Sequence, residues 1–204
     1  MPTEVLGVLL AGGRSHRMGG GDKCLKKLGG QTLLSHVINR VKDQVGPMIL
    51  NANGDPARFS SYRIPVVPDV VSGFSGPLAG VLTGLEWAAE NAPACEYVAT
   101  FATDAPFLPS DLVEKLQQLI NIGAVLACAT SNNRHHPVFG LWPVRERSAL
   151  REAMTEDHIR KVDTWTSHYK LGIADFPVYP IDPFFNLNTP HDLARAEDFL
   201  ARME

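Results

Sequence analysis

Residues 5 to 11, VLGVLLA, form an unbroken apolar run that stops at Gly12-Gly13. A short run without polar alternation predicts a strand buried on both faces, as in a parallel sheet. From Gln31 to Val45 the apolar positions Leu33, Leu34, Val37, Ile38, Val41 and Val45 recur at three- and four-residue steps, the stripe of an amphipathic helix. Met48 to Leu50 and Ile64 to Val67 read as short strands, and Leu78 to Glu90, bounded by Pro93, reads as a second helix. Tyr97 to Thr103 is again strand-like and breaks at Asp104-Ala105-Pro106, after which Ser110 can cap a helix reaching about Ile120. Ala124 to Thr130 and His136 to Trp142 predict two more strands, and Arg145 to Met154 and Ile159 to Tyr169 two more helices. Thr189-Pro190-His191-Asp192 supplies a cap, a proline at the first helical position and an acid at the third, so a final helix is expected over 190 to 203.

Repeated strand-then-helix units predict an α/β fold: three layers, with a doubly wound, mostly parallel sheet between helices. Such sheets bind ligands outside the carboxyl ends of their strands. With no repeat, low-complexity tract or linker in 204 residues, one domain spanning 1 to 204 is expected. Lys+Arg 19 against Asp+Glu 22 gives a net charge of -3, which leaves no general basic field for nucleic acid. Cys24, Cys95 and Cys128 are an odd number and form no CxxC pair, so a reducing compartment is expected. No apolar run reaches the roughly 20 residues of a membrane span, and the N-terminus lacks the basic segment of a leader, so no membrane partner is expected and the cytoplasm is the simplest address.

The densest chemistry is LAGGRSHRMGGGDK, residues 10 to 23. Five of its fourteen residues are glycine, which lets the backbone approach a ligand and offer amide N–H groups to anionic oxygens. Arg14, Arg17 and Lys23, with His16, concentrate positive charge there, and that suits a triphosphate. Its place after the first strand favours phosphate binding over a merely solvated loop. Spacing excludes a P-loop, because Lys23 precedes Cys24 where a Ser or Thr is needed. The dinucleotide fingerprint is also absent, because no third glycine follows Gly12-Gly13 until Gly19.

This loop resembles the LAGGxSxRMGxxDK loop of the molybdenum cofactor guanylyltransferases, nucleotidyltransferases of the sugar-nucleotide type. The resemblance extends to Asn51-Ala52-Asn53, Asp69, Gly76 to Gly80, Thr103 to Pro106 and Asn186 to Pro190, nearly the whole chain. Sugar-1-phosphate relatives usually carry a different first loop, and molybdopterin cytidylyltransferases an alanine where this chain has Gly12. The resemblance implies a Rossmann-like fold and transfer of GMP from GTP to the terminal phosphate of molybdenum-molybdopterin, with pyrophosphate released. It implies nucleotide contacts from Leu10, Ala11, Gly12, Gly13, Arg17, Lys23, Asn51, Asp69 and Asp104, with Lys23, Arg17 and Asp104 catalytic. Asp104 would also hold Mg²⁺, a hard ion that suits a carboxylate oxygen at a strand end.

Gly80, His136, Asn186 and Asn188 are the expected pterin residues, and 131 to 190 the pterin side of a domain whose first 110 residues mainly bind the nucleotide. Transient contact with molybdoenzymes or their chaperones would serve delivery of a labile product. Each residue also has a plainer reading. Asp104, Asp69 and Asn51 could be turn formers, GPLAG an ordinary helix start, and Asn188 a cap for the last helix. His135-His136 is a poor metal pair, since neighbours on a strand face opposite ways. Trp87, Trp142 and Trp165 read as packing, and nothing in the sequence marks a Ser/His/Asp triad. A CTP-using or sugar-phosphate nucleotidyltransferase is the rival enzyme, and a non-catalytic nucleotide sensor the rival of another class.

Overall fold

The computed structural model describes residues 4–12, 21–73 and 76–202. The chain runs through β1 (Glu4–Leu10), a hairpin of β2 (Lys27–Leu28) and β3 (Gln31–Thr32), α1 (Leu33–Val41), β4 (Met48–Asn51), β5 (Val66–Val67), α2 (Pro77–Asn91) and β6 (Cys95–Ala102). It continues through α3 (Leu112–Asn121), β7 (Leu126–Ser131), β8 (Arg134–Pro143), α4 (Arg147–Thr155), α5 (Val162–Thr166), β9 (Leu171–Asp175) and α6 (Pro190–Ala201). Short 3-10 turns occupy Lys23–Leu25, Pro56–Tyr62 and Val144–Glu146.

Seven strands form one sheet in the order β5-β4-β1-β6-β8-β7-β9. All pairings are parallel except those of β8, which is antiparallel to both neighbours. The run of β1 is apolar on both faces because both are covered. Val5 and Leu9 pack with Leu34 and Val37 of α1 and Leu112 and Leu116 of α3. Leu6 and Val8 pack with Leu78, Leu82 and Leu85 of α2 and with Trp165 of α5 on the opposite side. The three-layer, doubly wound, mostly parallel architecture expected from the sequence is therefore present. From β1 the chain moves outward through β4 to β5 and returns as β6 on the other side of β1. The ends of β1 and β6 thus form the point where a doubly wound sheet opens a crevice.

Four local expectations change. The first helix is shorter than 31 to 45, because Gln31 and Thr32 pair in the β2–β3 hairpin and Thr32 Oγ1 caps α1 by accepting from Ser35 N at 3.1 Å. Ser110 does not cap α3. Asp111 stands at the cap, and Gln44, arriving after α1, accepts from Val113 N at 3.0 Å and donates to Pro109 O at 2.9 Å. The helix expected over 159 to 169 contracts to α5, and β9, an edge strand whose one buried residue is Ala174, has no apolar run to announce it. The capping box before α6 is present as read: Thr189 Oγ1 accepts from Asp192 N, and Asp192 Oδ2 accepts from Thr189 N. No helix among the described residues is long and apolar enough to cross a membrane.

Candidate active site

A cavity of about 520 Å³ opens at the carboxyl ends of the central strands and is lined by Leu10, Gly12, Lys23, Asn51, Asn53, Asp69 and Asp104, among others. A larger groove of about 740 Å³ runs between α2 and α4. That groove lies along helix flanks, and Arg151 on its wall already forms a two-pronged pair with Glu86, both contacts at 2.7 Å. The strand-end crevice joins groups with unspent bonding capacity to the fold's switch point.

One side of it centres on Lys23. The residue opens a 3-10 turn and is only 8% exposed, so its ammonium needs partners. Lys23 Nζ has two, Asp104 Oδ2 at 2.5 Å and Asn188 Oδ1 at 2.5 Å. Asp104 follows β6, and its carbonyl accepts from Leu187 N at 2.9 Å, which draws 186 to 188 alongside. Leu187 is fully buried, and the two asparagines flank it. Asn186 Oδ1 is buried without a hydrogen-bond partner. Thr103 Oγ1 donates to Leu10 O at 2.9 Å and ties the ends of β6 and β1 together.

These groups suit a hard divalent ion. Magnesium is commonly held by one or two carboxylates, with water and substrate phosphates completing its shell. Asp104 supplies the carboxylate, and Asn186 Oδ1 is an unspent oxygen acceptor in the adjoining segment. No group of three or more His, Cys, Asp or Glu able to hold a metal occurs among the described residues, so water and bound substrate would complete the shell of an ion held at Asp104.

The opposite side centres on Asp69. Asn51, 5% exposed, donates from Nδ2 to Asp69 Oδ1 at 2.9 Å and to Val67 O at 3.2 Å. Asn53 Nδ2 donates to Asp69 Oδ2 at 2.7 Å, while Asn53 Oδ1 accepts from Asp69 N at 2.9 Å. Each carboxylate oxygen therefore holds one amide donor and keeps further acceptor capacity. Sequence reasoning assigned Asn53 no role. The signals were its place in the Asn51-Ala52-Asn53 stretch shared with the resembled family and its two-residue spacing from Asn51, which puts both side chains on one side of an extended segment.

The structure brings Leu10, Gly12, Lys23, Asn51, Asp69 and Asp104 together at one cavity, with Ala11 buried between Leu10 and Gly12 and its N–H bonded to Asn51 O. Gly13, Arg14, His16 and Arg17 lie outside the described residues. Two expected pterin residues, Gly80 and His136, are buried and are not among the described residues lining this cavity. Gly80 is buried in α2, where an added Cβ would come within 2.4 Å of Leu10 Cδ2 and 2.5 Å of Asn51 Oδ1. Its lack of a side chain lets α2 lie close under the crevice. His136 is 8% exposed, its ring 4.6 Å from that of Phe184. His136 Nε2 lies 2.7 Å from Ser131 Oγ, whose single proton goes to Asp182 Oδ1 at 2.9 Å. The imidazole must therefore be the donor in that pair, and Ser131 is not an activated nucleophile. Burial, with the charges of Arg134 and His135, holds the imidazole below its usual range against the opposing pull of Asp182. Cys24, next to Lys23, is equally unreactive: burial, helped by the negative charge of Asp22, pushes its thiol up to about 12.

Residues 7–169 match the MobA-like NTP transferase domain. Molybdenum cofactor guanylyltransferase of Bradyrhizobium sp. (strain ORS 278) is 53% identical over 203 residues, covering 99% of this chain and 95% of that protein. The protein of the same name from Rhodopseudomonas palustris (strain HaA2) is 53% identical over 202 residues, covering 98% and 94%. The crystal structure of molybdopterin-guanine dinucleotide biosynthesis protein A from Archaeoglobus fulgidus superimposes with a TM-score of 0.78 at 21% identity, covering 97% of this chain and 100% of that one. That likeness supports the fold. Taken with the matched domain and the identity to relatives along nearly their whole length, it leaves one assignment: the chain belongs to the MobA-like NTP transferase family, within its molybdenum cofactor guanylyltransferases.

Proposed function

We propose that this nucleotidyltransferase transfers GMP from GTP to the terminal phosphate of molybdenum-molybdopterin and releases pyrophosphate. The observation that carries the reading is the Lys23 ammonium held between Asp104 and Asn188 beside the end of β1. Strand order supplies a ruler across the crevice. Asp69 follows β5, Asn51 ends β4, Leu10 ends β1 and Asp104 follows β6, three strand spacings or about 14 Å from first to last. A nucleotide laid along that line puts its nucleoside toward Asn51 and Asp69 and its phosphates toward Lys23 and Asp104.

In the reaction an oxygen of the acceptor phosphate bonds to the α-phosphorus of GTP as the bond to the β-phosphate breaks, and the electron pair leaves with pyrophosphate. A phosphate oxygen is already an adequate nucleophile, so the protein must align it and balance charge. No covalent enzyme intermediate is needed. Lys23 neutralises the α- and β-phosphates, and Arg17 holds the departing pyrophosphate. Backbone groups of Leu10 to Gly12 meet the base, and Asn186 and Asn188 carry the nucleotide side over to the pterin side, residues 131 to 190. Asp104, with Asn186 near it, would hold Mg²⁺, which when bound offsets negative charge on phosphate oxygens.

Replacing Asp104 tests the site. Asp104→Ala should lower GMP transfer by on the order of 100-fold or more at limiting magnesium, the scale seen when preorganised charge stabilisation is lost. Near-normal transfer would remove Asp104 from the metal role. Preferred turnover of CTP, or of GTP with a sugar phosphate and no pterin, would reject the substrate assignment.

A further inference from the structure

Arg58 lies outside every role described so far, yet it touches both sides of the crevice. It sits in the 3-10 turn Pro56–Tyr62, which starts where Asp55 Oδ1 accepts from Ala57 N at 2.9 Å. Arg58 Nη2 donates to Asn53 O at 2.6 Å, and Nη1 donates to Asp55 O. Its Nε lies 2.7 Å from Asp22 Oδ2 in an ion pair whose N–H does not make a directed hydrogen bond. The guanidinium rests 4.5 Å from the ring centre of Phe59, which is buried in the core. Gly54 makes the turn possible: at φ +85 it takes a left-handed conformation that brings the carbonyls on either side to one guanidinium.

The two anchors have different consequences. Asn53 holds Asp69 through a reciprocal pair of hydrogen bonds, 2.7 and 2.9 Å. Asp22 immediately precedes Lys23, and its carbonyl accepts from Leu25 N at 3.2 Å to start the turn that aims the lysine. A single planar group therefore connects the segment that orients Asp69 to the segment that orients Lys23. Arginine suits this task because its rigid fork reaches several acceptors at once, whereas a lysine offers one point charge.

We propose that Arg58 is a positioning residue for the nucleotide: it buckles the stem of the glycine-rich loop at Asp22 to the turn carrying Asn53, and so keeps Asp69 and Lys23 in register across the crevice. The inference rests on the assignment of Asp69 to the nucleoside and Lys23 to the phosphates. It predicts a particular defect, because register matters only to a ligand that engages both ends. GTP does; guanosine and inorganic triphosphate each engage one. The Arg58–Asp22 contact is about a quarter exposed, 26% and 27% for the two side chains, so its loss should not unfold the protein.

The test compares wild type, Arg58→Ala, Arg58→Lys, Asp22→Asn, the Arg58→Ala/Asp22→Asn double variant and Asp69→Asn. GTP affinity is measured by calorimetry with Mg²⁺, and guanosine and inorganic triphosphate are measured as competitors of GTP. Arg58→Ala should weaken GTP about tenfold while each fragment stays within about twofold of wild type. Arg58→Lys should recover little, and the double variant should be no weaker than Arg58→Ala, because both changes cut one link. GTP binding by Arg58→Ala within about twofold of wild type, alongside clear weakening by Asp69→Asn, overturns the buckle and leaves the site assignment standing. Equal weakening of GTP and both fragments also overturns it, since that is the mark of local collapse. If Asp69→Asn itself leaves GTP affinity unchanged, the site assignment fails and the inference goes with it. Should Arg58→Ala not fold, Arg58→Lys carries the same comparisons.

Discussion

Gly80→Ala offers a direct measure of how tightly α2 braces the crevice. The new methyl would lie 2.4 Å from Leu10 Cδ2 and 2.5 Å from Asn51 Oδ1, closer than any normal contact. Alanine in place of glycine inside a helix contributes about 1 kcal/mol of stability, and overpacking a close-packed site costs roughly 1–3 kcal/mol. The net expectation is a loss of about 0–2 kcal/mol, or up to about 8 °C in Tm for a chain of this size. The effect on binding should be larger than stability alone implies. Leu10 can rotate a methyl away, but Asn51 is held by its bonds to Val67 O and Asp69 Oδ1 and must break one to yield. A hydrogen bond to a charged group contributes about 1.5–3 kcal/mol, so GTP affinity should fall about tenfold or more if Asn51 and Asp69 serve the nucleoside.

Gly84→Ala supplies the control one helical turn away. Its methyl would lie 2.5 Å from Val8 Cγ2 and 3.2 Å from Val98 Cγ1, an equally severe contact, but with core side chains beneath the sheet. Thermal unfolding and calorimetric GTP titration of both variants separate steric strain from damage to the site. Both should lose stability, and only Gly80→Ala should lose GTP affinity out of proportion. Equal loss of GTP affinity in the two, or wild-type affinity in Gly80→Ala, would refute the reasoning.

Two further outcomes test the supporting structure. His136 is held below its usual range chiefly by burial, so the unfolded chain binds a proton more readily than the folded one, and stability should fall as pH drops from about 6.5 toward the folded value. The slope from this one group cannot exceed about 1.4 kcal/mol per pH unit, and denaturant unfolding of His136→Gln should show it reduced; an unchanged slope would assign the acid sensitivity to another group. Thr189→Ala should cost about 1 kcal/mol by removing one arm of the capping box before α6, a drop of roughly 2–4 °C in Tm, while Thr189→Ser should retain it; an unchanged Tm in the alanine variant would mean that packing of Ala196 and Leu187 alone holds the helix.

The elements most legible in the sequence were those whose signal is local. β1 is readable because burial on both faces requires apolar residues at every position, and α6 because Thr189, Pro190 and Asp192 cap it with neighbouring residues. The residue types at the proposed phosphate side, Lys23 and Asp104, were also readable, since anion and cation chemistry restricts the side chains that can serve. Elements whose cause lies far along the chain were not. α3 takes its cap from Gln44, 69 residues before Val113, and β9 becomes a strand by pairing with β7. Gly80 and His136 look like site residues by their surroundings in sequence. Only the packing of α2 against Leu10 and Asn51, and of His136 against Phe184 and Ser131, shows what each touches.

The sequence alone determined the layered α/β class, the placing of a glycine-rich, cation-bearing segment after the first strand and the choice of charged groups, because these follow from periodicity and side-chain chemistry. The tertiary structure decided which of those groups meet. It joined Lys23 to Asp104 and Asn188 across 81 and 165 residues, gave Asn53 its hold on Asp69, and set Arg58 between the two sides of the crevice. The physical reason is that hydrogen bonds and ion pairs depend on distances of a few ångströms, and those distances are fixed by strand order and helix packing rather than by separation along the chain.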